Sequence, residues 1–132
     1  MLINFNISII INMKAKKHIS PAIKLSFVNP DSESKSVLGK GVVRLMQNVD
    51  EVHSLNQAAK MMNMAYSKAW RITKKTSEAL GFELIESVRP KGSILTPEGK
   101  ELLEVYLKME RQLRDEATEI FDSLLKETTH LK

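Results

Sequence analysis

Apolar positions along the chain switch between two periods, and the switches divide it into elements. From Ala22 to Val28 (AIKLSFV) apolar and polar residues partly alternate, the signature of a half-buried strand, and Asn29-Pro30-Asp31 supplies a turn. The short Val37-Leu38 can return as a partner, so a small hairpin is expected. Beyond Gly39-Lys40-Gly41, the positions Val42, Val43, Leu45, Met46 and Val49 take helical spacing, which predicts a helix starting near Gly41. Ser54 has the character of an N-cap. Leu55, Ala58, Ala59, Met61 and Met62 then give a helix of about two turns an apolar face. Asn63 tolerates a left-handed backbone, and a second helix is predicted from Tyr66 to Leu80, stopped by Gly81.

This short helix, turn and longer helix have the spacing of a helix-turn-helix. The pair Ala58-Ala59 agrees with it, because crossing helices approach closely only where side chains are small. Phe82 to Val88 reads as a strand, Arg89 to Ser93 as a basic turn and Ile94-Leu95 as a returning strand, which together make a wing. Thr96-Pro97-Glu98-Gly99 opens another helix, with a threonine cap, a proline at the first position and a glutamate where the dipole favours it. That helix is expected to reach about Glu127. Its apolar positions Leu102, Tyr106, Met109, Leu113, Ala117, Ile120 and Leu124 form one stripe. The expected fold is mainly α with a small β wing: a flexible leader over residues 1–20, a winged helix-turn-helix with an N-terminal β-hairpin over 21–99, and a long C-terminal helix over 100–132 serving dimerisation.

Charge sharpens this picture. Up to Pro97 basic residues outnumber acidic by 14 to 7, while from Glu98 onward acidic residues lead by 9 to 6. A basic body points to an anionic partner. The chain has no cysteine, which excludes disulfides, zinc ribbons and thiol chemistry. His18, His53 and His130 lack the spacing of a helical metal pair, and no nucleophile, base and orienting group occur together, so neither a metal, a cofactor nor an enzymatic activity is expected. The apolar run Met1 to Asn12 is broken by asparagines and falls short of the roughly 20 residues a membrane span needs. A cytoplasmic protein without membrane contact is expected.

A DNA reader needs exposed basic and polar side chains on one face of a helix anchored by the other. On the segment Ala65 to Leu80 and the Met64 before it, the residues Met64, Ala69, Ile72 or Thr73, Thr76 and Leu80 can turn inward. Tyr66, Ser67, Lys68 and Arg71 then stand near the end that reaches base edges, and Lys74 and Lys75 are placed for phosphate. Arg71 is the leading candidate for a bidentate guanine contact. Lys60, Arg89 and Lys91 are further candidate contacts from the preceding helix and the wing. Trp70 is expected to pack in the interior with its N–H bonded to a carbonyl, and Met61, Met62 and Met64 to join the core, with exposure left open for Met62.

With these elements in place, the stretches Leu38-Gly39-Lys40-Gly41, Ser54-Leu55-Asn56-Gln57-Ala58-Ala59-Lys60, Met64-Ala65-Tyr66-Ser67-Lys68-Ala69-Trp70, Leu80-Gly81 and Leu95-Thr96-Pro97-Glu98-Gly99 resemble the DNA-binding domain of the molybdate-responsive regulator ModE, itself related to LysR-type domains. The resemblance spans roughly Ile23 to Gly99. It implies a homodimeric transcription factor on double-stranded DNA, paired through the helix after the wing. Thr73 and Thr76 depart from the larger aliphatic residues usual there, which suggests hydroxyls bonded back to the preceding turn. The molybdate domains of that regulator lie beyond the long helix, so the resemblance does not carry ligand sensing and no small-molecule ligand is expected. A different class is a protein-interaction module that keeps the winged fold and uses the long helix to bind a polypeptide.

Overall fold

The structure is a computed structural model and describes residues 19–33 and 37–130. The leader expected over residues 1–20 falls almost wholly outside them. Residues Lys24–Lys108 make one compact unit, and the described residues 19–23 and 109–130 belong to a second.

In the first unit the order is α1 (Lys40–Val52), α2 (Leu55–Lys60), α3 (Tyr66–Leu80), β1 (Ile85–Ser87), β2 (Ser93–Leu95) and the start of α4 (Pro97–His130). Helix-turn-helix, two-stranded wing and following helix are all present, so the fold is a winged helix-turn-helix with a long C-terminal helix. Local chemistry explains most boundaries. Helix α1 ends where His53 takes a left-handed backbone (φ 55°) and returns its N–H to Val49 O. Ser54 Oγ accepts from Gln57 N at 3.1 Å and caps α2. The turn follows with Met64 N donating to Ala59 O at 2.9 Å and Asn63 at φ 53°. Gly81, at φ 86°, stops α3. Thr96 Oγ1 accepts from Gly99 N at 2.9 Å and opens α4.

The β elements are shorter than expected. Strand β1 covers only Ile85–Ser87, paired antiparallel with β2 in the register Ile85–Leu95, Glu86–Ile94, Ser87–Ser93. Leu84, expected within the strand, is instead fully buried, with its carbonyl accepting from Thr96 N at 3.0 Å. The N-terminal hairpin reduces to one bridge, Phe27 with Leu38, whose reciprocal N–H to carbonyl bonds measure 2.8 and 3.0 Å. Val37-Leu38 is too short to pair further, because α1 begins at once behind Gly39. The Asn29 turn forms as expected, with Asp31 N donating to Asn29 Oδ1 at 2.9 Å, and Asn29 Nδ2 donates to Ala79 O at the end of α3.

The core gathers Leu45, Met46 and Val49 of α1, Leu55, Ala58 and Ala59 of α2, Ala69 of α3, Leu84 and Leu95 of the wing, and Leu103 and Tyr106 of α4. The alanine pair is wholly buried, as the crossing of α2 on its neighbours requires. Met61 departs from expectation: it is 53% exposed, because α2 ends one residue earlier and the apolar face ends with it. Tyr106 also departs. Only 1% of it is exposed; its ring meets Phe27 edge-on at 5.3 Å and its hydroxyl donates to Leu25 O at 2.7 Å. A side chain so enclosed by its own domain has no surface left for a second protomer, so Tyr106 leaves the dimerisation stripe. Leu102, earlier in that stripe, packs half-buried against the same core.

In the second unit, α4 carries Met109, Ile120 and Leu124 exposed at 42%, 59% and 54%, with Leu113 and Ala117 half-buried. Phe121 and Leu125, which the stripe did not include, are half-buried as well. No helix among the described residues is long and apolar enough to cross a membrane.

Candidate nucleic-acid interface

Helix α3 is anchored on one side by Ala69, Thr73, Thr76 and Ser77, all buried. At about 100° per residue, Arg71 stands diametrically opposite this anchor, with Ser67, Lys68 and Lys75 beside it; all four are exposed. Of the two alternatives for the inward position, Thr73 is the buried one and Ile72 half-buried. The Thr73 hydroxyl donates back along the helix toward Ala69 O (3.1 Å) and Trp70 O (2.9 Å), which satisfies it without a tertiary partner.

No acidic residue lies on α3 before Glu78, so its first three turns present only neutral and basic side chains to solvent. Lys60 at the end of α2, and Arg89 and Lys91 in the wing turn, are likewise exposed. The structure thus carries the expected basic side chains on one domain's surface. Lys74 is the exception. Its Nζ sits 3.0 Å from Glu83 Oε1 and 5.8 Å from the centre of the Trp70 ring.

Trp70 is not interior. It is 48% exposed, and Tyr66 one turn earlier is 51% exposed. The expectation of an interior Trp70 rested on its being a lone tryptophan, and it fails because the flank of α3 that carries it, with Thr73 and Ser77, opens on a cleft instead of on a packed neighbour. Tyr66 and Trp70 instead wall a cleft of about 350 Å³ between α3 and the wing, with Lys74, Glu83 and Glu86 at its rim.

Ser77 is the residue the sequence pattern missed. Its hydroxyl accepts from Leu84 N at 3.1 Å and so ties the wing to α3. A serine in a polar helical stretch carries no local signal of this, since its partner is seven residues away across a turn. Thr96 Oγ1 adds a second tie by donating to Glu83 O at 2.6 Å. At its far end the wing is held to α1, where Ser93 N donates to His53 O at 3.0 Å. Gly92, at φ 124°, is required beside it: a Cβ there would stand 2.9 Å from the same carbonyl.

The sequence matches no protein-family profile, and no curated protein matches it. Among solved structures, the chain is similar to Vibrio fischeri DarR in complex with DNA, a study of the transcriptional activation mechanism of LTTR family members, at 22% identity over 61% of this chain with a TM-score of 0.49. It spans 27% of that chain's length. It is also similar to the BenM DNA-binding domain in complex with benA site 1 DNA, at 24% identity over 69% of this chain and 92% of the other, with a TM-score of 0.47. The fold class itself rests on the order of elements, the wing register and the core.

Proposed function

We propose that the protein binds double-stranded DNA by laying α3 in the major groove, and that it does so as a homodimeric transcriptional regulator of the ModE-like, LysR-related kind. The observation that carries the reading is the exposed arc Ser67, Lys68, Arg71 and Lys75, with no acidic residue on the helix before Glu78. Lysines there supply affinity by releasing counterions, and Arg71 supplies base choice. Lys60, Arg89 and Lys91 flank it as backbone contacts. The likeness to two DNA-bound domains agrees with this reading without adding weight to it.

Selection from a pool of random duplexes tests the function. The expected result is an enriched inverted repeat with half-sites about 10 base pairs apart, bound with an affinity that falls steeply with salt. Recovery of no enriched sequence, together with no salt-dependent binding of random duplex, removes the DNA reading.

The dimer rests on Met109, Ile120 and Leu124, large apolar side chains left in water along α4, with Leu113 and Ala117 at their side. Ile120→Glu combined with Leu124→Glu should convert dimers to monomers in sedimentation experiments while the helical circular dichroism is unchanged, since neither side chain supports the domain core. Persistence of the same dimer in that variant takes α4 out of the interface.

A further inference from the structure

The cleft between α3 and the wing holds an arrangement that the basic arc does not account for. Lys74 lies on the same helix as Arg71 and Lys75, yet its ammonium is turned toward the wing and engaged by Glu83 at 3.0 Å. Both side chains remain open to solvent, at 43% and 57%. The pair is therefore screened and weakly held, in the range of about 0.2–1 kcal/mol for exposed pairs. The Trp70 ring stands 5.8 Å from the same ammonium and favours the charge by its π-face. Glu83 itself is not free to withdraw far, because its backbone carbonyl accepts the Thr96 hydroxyl at 2.6 Å. A cation so placed can be claimed by an anion that enters the cleft mouth, and only at the expense of Glu83.

Resting on the DNA-binding reading above, we propose that Glu83 is an internal stand-in for phosphate: it neutralises Lys74 in the free protein and is displaced when a backbone phosphate takes the ammonium. The pair then lowers affinity for random duplex, because each encounter must break it before Lys74 contributes. Glu86, at the rim of the same cleft, adds to the negative potential that the phosphate must overcome. The state of the pair is readable, since Trp70 is the only tryptophan in the chain and lies next to the exchanging ammonium.

The experiment compares wild type, Glu83→Gln, Lys74→Met and the double variant, by fluorescence anisotropy on a labelled random-sequence duplex across a salt series and by Trp70 emission. Glu83→Gln should bind random duplex about 1.4- to 5-fold tighter, the return of the pair's own strength. The gain should vanish in the Lys74→Met background. In wild type, duplex and inorganic polyphosphate should each shift Trp70 emission toward that of free Glu83→Gln. Duplex binding identical in wild type and Glu83→Gln overturns the exchange and leaves the DNA reading standing, as does a gain that persists without Lys74, which would make Glu83 a simple repulsive charge. Absence of duplex binding, with a polyphosphate response at Trp70 that Glu83→Gln abolishes, supports the exchange and overturns the DNA reading. Absence of both responses overturns both.

Discussion

Gly99→Ala is expected to lower stability by about 3 kcal/mol, the upper part of the range for forcing an extra carbon into a packed site. A Cβ at this position would stand 2.5 Å from Leu84 O and 3.1 Å from Thr96 Oγ1. Neither neighbour can yield cheaply. The Leu84 carbonyl is backbone and accepts Thr96 N at 3.0 Å, and the Thr96 hydroxyl is the cap of α4, accepting Gly99 N at 2.9 Å. Moving either opens the junction between wing and long helix. The usual gain of about 0.5–1 kcal/mol from alanine over glycine in a helix is far too small to offset this. Urea unfolding followed by circular dichroism measures the difference. Gly41→Ala is the matched control: nothing lies within 4 Å of its added carbon, so stability should hold or rise. Equal midpoints for the two variants would show that the α4 junction is looser than its geometry states.

Arg71→Ala is expected to reduce affinity for the selected DNA sequence by roughly 5- to 150-fold, the equivalent of about 1–3 kcal/mol for a lost bidentate base contact, and affinity for random duplex much less. The expectation follows from position. Arg71 stands at the crest of the exposed arc, furthest from the buried Ala69, Thr73 and Thr76, so in the proposed complex it would enter the groove deepest. Lys75→Ala should behave differently, weakening both duplexes alike and reducing the salt slope by about one. Equal losses on the two duplexes for Arg71→Ala would reassign it to phosphate.

These two positions also show what could be read from the sequence and what could not. The caps at Ser54, Thr96 and Gly81 and the turn at Asn63 were legible because each is a local device, with donor and acceptor a few residues apart. The inward face of α3 was legible through its period. The position of Trp70 was not, because its interior placement was argued from the packing habit of a lone tryptophan, and the flank of α3 that carries it opens on a cleft that only the fold of the wing creates. The Lys74–Glu83 pair depends on how the wing folds back after Gly81, and local spacing contains no record of that. Tyr106 failed as a dimerisation residue for a related reason. The stripe on α4 is real as a period, but its first part is covered by Leu25 and Phe27 of the same chain, and periodicity cannot say which partner covers an apolar face. The long strand expected from Phe82 shrank because Leu84 gives its N–H to the Ser77 hydroxyl, so that only its carbonyl, accepting from Thr96 N, still follows the wing's register.

If the protein binds DNA as proposed, the attachment of the wing to His53 has a consequence for the duplex. Ser93 N–H on that carbonyl, with Gly92 leaving space beside it, sets the distance between α3 and the wing turn before any DNA arrives. Complex formation then freezes little additional backbone freedom, and the burden of adjustment passes to the nucleic acid. Sites whose groove width already suits that separation, or whose base steps bend at low cost, gain an advantage at base pairs that no side chain reaches. Such a protein measures the mechanical compliance of its target along with its letters.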